Sequence, residues 1–278
     1  MSRRIVVGID FSDNSINALK HAITIAKKAD MDVTMVWVDH IDYSKEIFSV
    51  EPSHRLDAVA KKFGGIIEEY KGCCENLDFV VRKGKIYREI CDVAEEQNAF
   101  FIVVGTHGLS GFEEFWSGSN ANRIVSASNI PVITIRGGVD VSQNLDKIVL
   151  PLNSTKVTRE KIPITAELAK YFDSEVHILG LQTSSQSDRR FRIKAYVAQA
   201  EDFFKENGIR YKSVFIDSEQ ITDDTLAYAK EIGANLISIM TEQETTTSNL
   251  WLGPYAAQMV NHSPIPVLSV TPKSELII

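Results

Sequence analysis

The sequence predicts an α/β protein of two similar domains, each a mostly parallel five-stranded sheet with helices on both faces. Three observations carry that reading. The second half of the 278-residue chain repeats the first. Within each half, short β-branched apolar runs alternate with longer segments of helical apolar spacing. The apolar runs also lack the strict alternation of a half-exposed sheet, so both of their faces are expected to be covered, as in parallel sheets.

The repeat shows in aligned residues. At an offset of 143, Ile5, Val6 and Val7 meet Ile148, Val149 and Leu150, and Ala26, Lys27, Asp30 and Val33 meet Ala169, Lys170, Asp173 and Val176. Farther on the offset is 135. There Trp116, Gly118, Val125, Ser128, Ile130 and Pro131 meet Trp251, Gly253, Val260, Ser263, Ile265 and Pro266. The polar, Gly-containing stretch 137–144 reads as a linker, which sets the domains at 1–138 and 145–278, each of ordinary size.

In the first half, residues 4–9 are a short β-branched run and read as a buried strand. Residues 14–29 carry Ile16, Leu19, Ala22, Ile23 and Ala26 at helical spacing, with Ser12 or Asp13 as N-cap. A second strand is expected over 32–38. The next helix is 54–72, with Leu56, Val59, Ala60, Phe63, Ile66 and Ile67 on one side. Strands over 79–82, 100–104 and 131–135 and helices over 86–97 and 120–127 complete the half. Residues 130–136 and 265–270 are expected as edge strands that pair the two halves, because an exposed apolar edge must be covered.

Composition narrows the function. Acidic residues outnumber basic ones 37 to 30, a net charge of −7, which disfavours binding to nucleic acid through its phosphates. No apolar run approaches the ~18 residues of a membrane span. The basic start is followed by too short an apolar run, ended by Asp10, to read as a signal peptide. Cys73, Cys74 and Cys91 form neither a disulfide framework nor a zinc motif, and imply a reducing, cytoplasmic compartment. His21, His40, His54, His177 and His262 have no metal-ligand spacing, so no metal site is expected.

The informative stretch follows the strand that ends at Val104. Gly105 and Gly108 come at once, then Gly118-Ser119 directly before a helix. Glycines let backbone amides approach an anion, and a helix start offers unpaired N–H groups and the positive end of a dipole. Neither GxxxxGK[ST] nor GxGxxG occurs, so a P-loop and a Rossmann dinucleotide site are unsupported.

Gly105-x2-Gly108-x9-Gly118-Ser119 matches the G-x2-G-x9-G-[ST] signature of the ATP-binding universal stress proteins. The opening strand ending in Asp10, the following Ser12, and Ser128-Asn129-Ile130-Pro131-Val132 also resemble that family. The resemblance covers both halves and implies a tandem universal stress protein with an adenine-nucleotide α-hydrolase-like fold. It implies ATP, with Mg, as cofactor. Asp10 would accept hydrogen bonds from the ribose hydroxyls. Gly8 and Ile9 would line the adenine side, and Val38 would face adenine with its backbone. Val104, Gly105, His107 and Gly108 would wrap the phosphates, and Gly118, Ser119 and Asn120 would close the other side.

The second half departs from this pattern. Asp10 becomes Asn153, Gly105 becomes Met240, Gly108 becomes Gln243 and Ser119 becomes Pro254, while Glu242 and Glu244 bring negative charge to the loop. This half reads as degenerate, holding its fold without its nucleotide. The expected function is thus a cytoplasmic ATP-binding stress or regulatory protein acting through nucleotide-dependent conformation or partner binding, with the two halves paired and a further homodimer open to it. No catalytic residues are assigned, since no carboxylate pair, Walker motif or arginine finger supports an efficient ATPase. Slow ATP hydrolysis or autophosphorylation is what the resemblance permits. The alternatives are an ATP-cleaving enzyme of the α-hydrolase group, whose SGGxDS loop is absent after the first strand, and a nucleotide-free interaction scaffold.

Overall fold

The computed structural model describes residues 3–39, 52–74, 76–106, 118–139, 144–182, 186–241 and 252–272. In the first half these form β1 (Arg3–Gly8), α1 (Asp13–Ala29), β2 (Met31–Asp39), α2 (Pro52–Glu69), β3 (Leu77–Lys83), α3 (Ile86–Glu96), β4 (Phe101–Thr106), α4 (Gly118–Ala127) and β5 (Val132–Arg136). The second half repeats the order with β6 (Lys147–Leu152), α5 (Ile162–Phe172), β7 (Glu175–Gln182), α6 (Ser187–Glu206), β8 (Arg210–Asp217), α7 (Ile221–Glu231), β9 (Leu236–Met240), α8 (Pro254–His262) and β10 (Val267–Val270). A short 3-10 helix, Lys156–Arg159, precedes α5.

The ten strands form one sheet in the order β3-β2-β1-β4-β5-β10-β9-β6-β7-β8. Each half contributes five strands that pair in parallel, and the halves join where β5 and β10 run antiparallel, Ile133 opposite Leu268. The two strands expected as edges are therefore each other's partners, and what the sequence suggests as two sheets is one continuous sheet.

Both faces are covered, which explains the unbroken apolar runs. On β1, Ile5 and Val7 enter a core that spans both halves under α1, α2, α5 and α6, while Val6 enters a second core under α3 and α4. On β6, Ile148, Leu150 and Leu152 join the shared core and Val149 joins a third, under α7 and α8. Burial of this kind stabilises by roughly 25 cal/mol per Å² of apolar surface.

The sequence repeat recurs as bonded geometry. Asp30 and Asp173 both end their helices in the left-handed region, at φ 53° and 51°, donating their N–H to Ala26 and Ala169. Ser128 Oγ donates to the Ile130 carbonyl at 2.7 Å and accepts from its N–H; Ser263 does the same with Ile265. These pairs of residues carry the offsets of 143 and 135.

The halves differ where α1 meets β4. A Cβ on Gly105 would lie 2.6 Å from the Asn14 carbonyl oxygen, a backbone atom that cannot rotate away. Gly105 is thus required by the close approach of the first turn of α1, whether or not an anion is bound. This packing role stands beside the anion approach expected of Gly105. Met240 holds the same position in the second half. There the chain makes its 3-10 turn first, and α5 begins only at Ile162, the repeat position of Leu19. A methionine leaves no room for helix backbone at that distance.

Gly105→Ala is expected to destabilise the protein by about 1–3 kcal/mol, as overpacking does. Denaturant unfolding measures this, and an unchanged midpoint would contradict the packing role.

Candidate functional site

In an open parallel sheet, ligands bind at the carboxyl ends of the strands where the winding reverses. In the first half that point lies between β1 and β4, which are neighbours in the sheet although not consecutive in sequence. The chain leaves β1 through Ile9, whose N–H donates to the Val36 carbonyl at 2.8 Å and whose side chain is buried. It then turns sharply at Asp10, Phe11 and Ser12.

This turn is held by its own side chains. Asp10 Oδ1 accepts from the Ser12 N–H at 2.9 Å and from Ser12 Oγ at 2.6 Å. Ser12, rather than Asp13, is the N-cap of α1, its Oγ accepting from the Ser15 N–H. Ser15 Oγ donates to the Ser12 carbonyl and accepts from the Asp10 N–H at 3.3 Å. Asp10 therefore braces the cap without being the cap, and sets its negative charge at the positive end of α1. Phe11 takes φ 67°, a conformation that costs a non-glycine residue about 1–2 kcal/mol. Its ring rests on Phe63 at 4.9 Å. Strain of this kind collects at functional sites.

Gly8, Ile9 and Asp10 at the end of β1 thus lie beside Val104 and Gly105 at the end of β4, with the first turn of α1 against Gly105. Val38 stands one residue before the end of β2, on the other side of β1. Gly118, Ser119 and Asn120 form the first turn of α4, whose leading N–H groups have no partner within the helix. His107 and Gly108 lie outside the described residues, as do Trp116, Trp251, Glu242, Gln243 and Glu244.

Sequence reasoning missed Thr106. Its side chain is buried at the end of β4, and Oγ1 has no hydrogen-bond partner among the described residues. Its repeat partner Thr241 is satisfied, donating to the Val270 carbonyl and lying 3.3 Å from Thr271 Oγ1. The first half has Arg136 where the second has Thr271. A buried orphan hydroxyl calls for an acceptor.

The second half keeps the turn and changes its chemistry. Asn153 Oδ1 accepts from the Thr155 N–H at 3.0 Å and Thr155 Oγ1 at 2.6 Å, and the Asn153 N–H reaches Thr158 Oγ1 at 3.3 Å. The geometry is that of Asp10, Ser12 and Ser15, without the charge and without a left-handed residue at Ser154. Pro254 opens α8, so its first turn has one N–H fewer to offer.

Where the first half has Ala18, the second has Lys161, fully buried at the start of α5. Its Nζ donates to the Thr158 carbonyl at 2.9 Å and to Thr158 Oγ1 at 3.2 Å. Burial lowers its pKa from 10.5 to about 7. The unfolded chain takes up a proton below pH 10.5 that the folded chain accepts only below about pH 7. The destabilisation is absent above 10.5, grows as pH falls, and is complete below 7. Lys161→Met is therefore expected to remove a rise in stability between pH 7 and 10, at most about 1.4 kcal/mol per pH unit. Unfolding midpoints of both proteins across that range check this; parallel curves would contradict it.

Comparison with known proteins agrees with the doubled geometry. A family model described as the universal stress protein family matches residues 1–136 and again 145–271. A universal stress protein of Methanocaldococcus jannaschii is 30% identical over 142 residues, 48% of this chain and 82% of its own length. Another, from Bacillus subtilis, is 28% identical over 148 residues, 49% of this chain and 100% of its own. The crystal structure of a universal stress protein from Archaeoglobus fulgidus aligns over 98% of this chain and 99% of its own, with a TM-score of 0.76 at 19% identity, a likeness of fold. The pattern occurs twice in tandem on the two halves of one sheet, and the chain belongs to the universal stress protein family.

Proposed function

We infer that the protein binds one ATP, with Mg, in a first domain of residues 1–138, and that a degenerate second domain of residues 145–278 holds no nucleotide. One observation carries this reading. At the carboxyl end of β4 in the first half, the first turn of α1 lies against Gly105, and the buried hydroxyl of the next residue, Thr106, has no partner among the described residues. At the matching place in the second half stand Asn153, Met240 and Pro254, and the matching hydroxyl is satisfied.

The strand order suits a nucleotide laid across the strand ends. Phosphates would lie over β4, against the backbone of Gly105, His107 and Gly108, the hydroxyl of Thr106 and the first-turn amides of Gly118, Ser119 and Asn120. The ribose would lie over β1, where Asp10 has a second carboxylate oxygen beyond the one that braces Ser12. The base would lie over β2 beside Gly8, Ile9 and Val38. Neighbouring strands are about 4.8 Å apart, so β4 to β2 spans roughly 10 Å, the reach of a nucleotide from phosphate to base.

The protein would act as a nucleotide-responsive regulator in the cytoplasm, changing conformation or partner with occupancy. Three free cysteines and, among the described residues, no helix long and apolar enough to cross a membrane are in keeping with this.

Two substitutions test the site by calorimetry in the folded, full-length protein. Asp10→Ala is expected to weaken ATP binding about tenfold or more, because a charge-assisted hydrogen bond is worth about 1.5–3 kcal/mol. The loss should be much smaller for 2′,3′-dideoxy-ATP, which has no hydroxyls to lose. Ser119→Pro copies the second half and fits the first turn of a helix, yet removes one N–H. It is expected to weaken ATP and ADP more than adenosine. Unchanged affinity in both variants would overturn the site.

A further inference from the structure

The end of β2 carries an arginine that neither the signature nor the family match assigns. Arg55, in the first turn of α2, reaches back to the last residue of β2, its Nη1 2.9 Å from Asp39 Oδ1. The arginine side chain is 8% exposed and the aspartate side chain 24%. Asp39 follows Val38 directly, so the guanidinium stands at the base end of the row of strand termini.

Two features set this pair apart from a clamp between helix and strand. Arg55 Nε is buried and has no hydrogen-bond partner among the described residues. A guanidinium that is almost wholly buried and leaves one donor without an acceptor is costly; Arg82 Nε is also unpartnered, but its side chain is 35% exposed beside Glu96. The second half, whose ligand end is degenerate, has no such buried pair among its described residues. Gln182 stands at the repeat position of Asp39, and Arg190, the residue of α6 at an offset of 135 from Arg55, pairs instead with Asp217 on the surface, the side chains 40% and 70% exposed. The buried arginine and the intact ligand end occur in the same half.

We propose that Arg55 reads the base of the bound nucleotide, donating its Nε–H to a ring-nitrogen acceptor of the purine while Asp39 holds the guanidinium in place. The assignment rests on the nucleotide reading of the first domain. It makes Arg55 a specificity residue: a site built to give a hydrogen bond rejects an analogue that lacks the acceptor, because the buried donor is then left unpaired.

The test compares ATP with 1-deaza-, 3-deaza- and 7-deaza-ATP, each lacking one ring nitrogen, on the wild-type protein and on Arg55→Lys. Lysine keeps a cation for Asp39 and lacks the Nε donor. Wild type is expected to bind one of the three analogues about tenfold more weakly than ATP, and Arg55→Lys to bind that analogue and ATP within about twofold of each other. Circular dichroism and the unfolding midpoint verify that the variant is folded. If it is not, Arg55→Gln, which has an amide donor and no charge, is expected to narrow the same gap. Equal binding of all four nucleotides by wild type, or the same discrimination after substitution, would overturn the role of Arg55 while leaving ATP binding intact. A wild-type protein that binds no ATP would overturn the nucleotide reading and this assignment with it.

Discussion

The candidate site depends on one contact between two backbones. The carbonyl of Asn14 lies so close to Gly105 that no side chain fits between them. That approach draws the first turn of α1 onto the end of β4 and carries the Asp10 turn with it. It brings together residues from the start and the far part of the first half, and it is stiff because neither partner has a rotatable group to move. The strain at Phe11 and the chain of bonds from Asp10 through Ser12 to Ser15 belong to the same arrangement.

In the second half that contact is lost, and the effect on the chain is visible. Its turn is bonded in the same way around Asn153, so the local chemistry of the turn survives without Gly105. The helix is what changes. With Met240 in place of glycine, the chain spends residues 156–159 in a 3-10 turn before α5 begins, and a buried lysine occupies the position of Ala18. The fold tolerates this because the shared core runs beneath both halves and the β5–β10 pairing closes the sheet between them. The fold thus survives the loss of the Gly105 contact, because the strands and the shared core do not need it in the second half.

Much of this was legible in the sequence. The repeat, the strands, the helices and the strands that join the halves follow from apolar periodicity and aligned residues, because burial on both sheet faces leaves an unbroken apolar signal. Gly118 and Ser119, expected just before a helix over 120–127, are instead its first two residues. Three features were not legible. Gly105 reads as a loop glycine, since its neighbour Asn14 is distant in the chain. Thr106 and Thr241 look identical, and only the bonds to Val270 and Thr271 separate them. The burial of Arg55 and Lys161 leaves no mark in the sequence, because periodicity does not report which polar positions a neighbouring element will cover.

The central claim is an asymmetry: two like domains, one nucleotide. Native mass spectrometry of the full chain in saturating ATP and Mg counts bound nucleotides directly, and limited proteolysis with and without ligand locates the protection. The account predicts a single adenine nucleotide per chain, with protection confined to the first half. Two nucleotides per chain, or one whose protection falls around Asn153 and Met240, would contradict it.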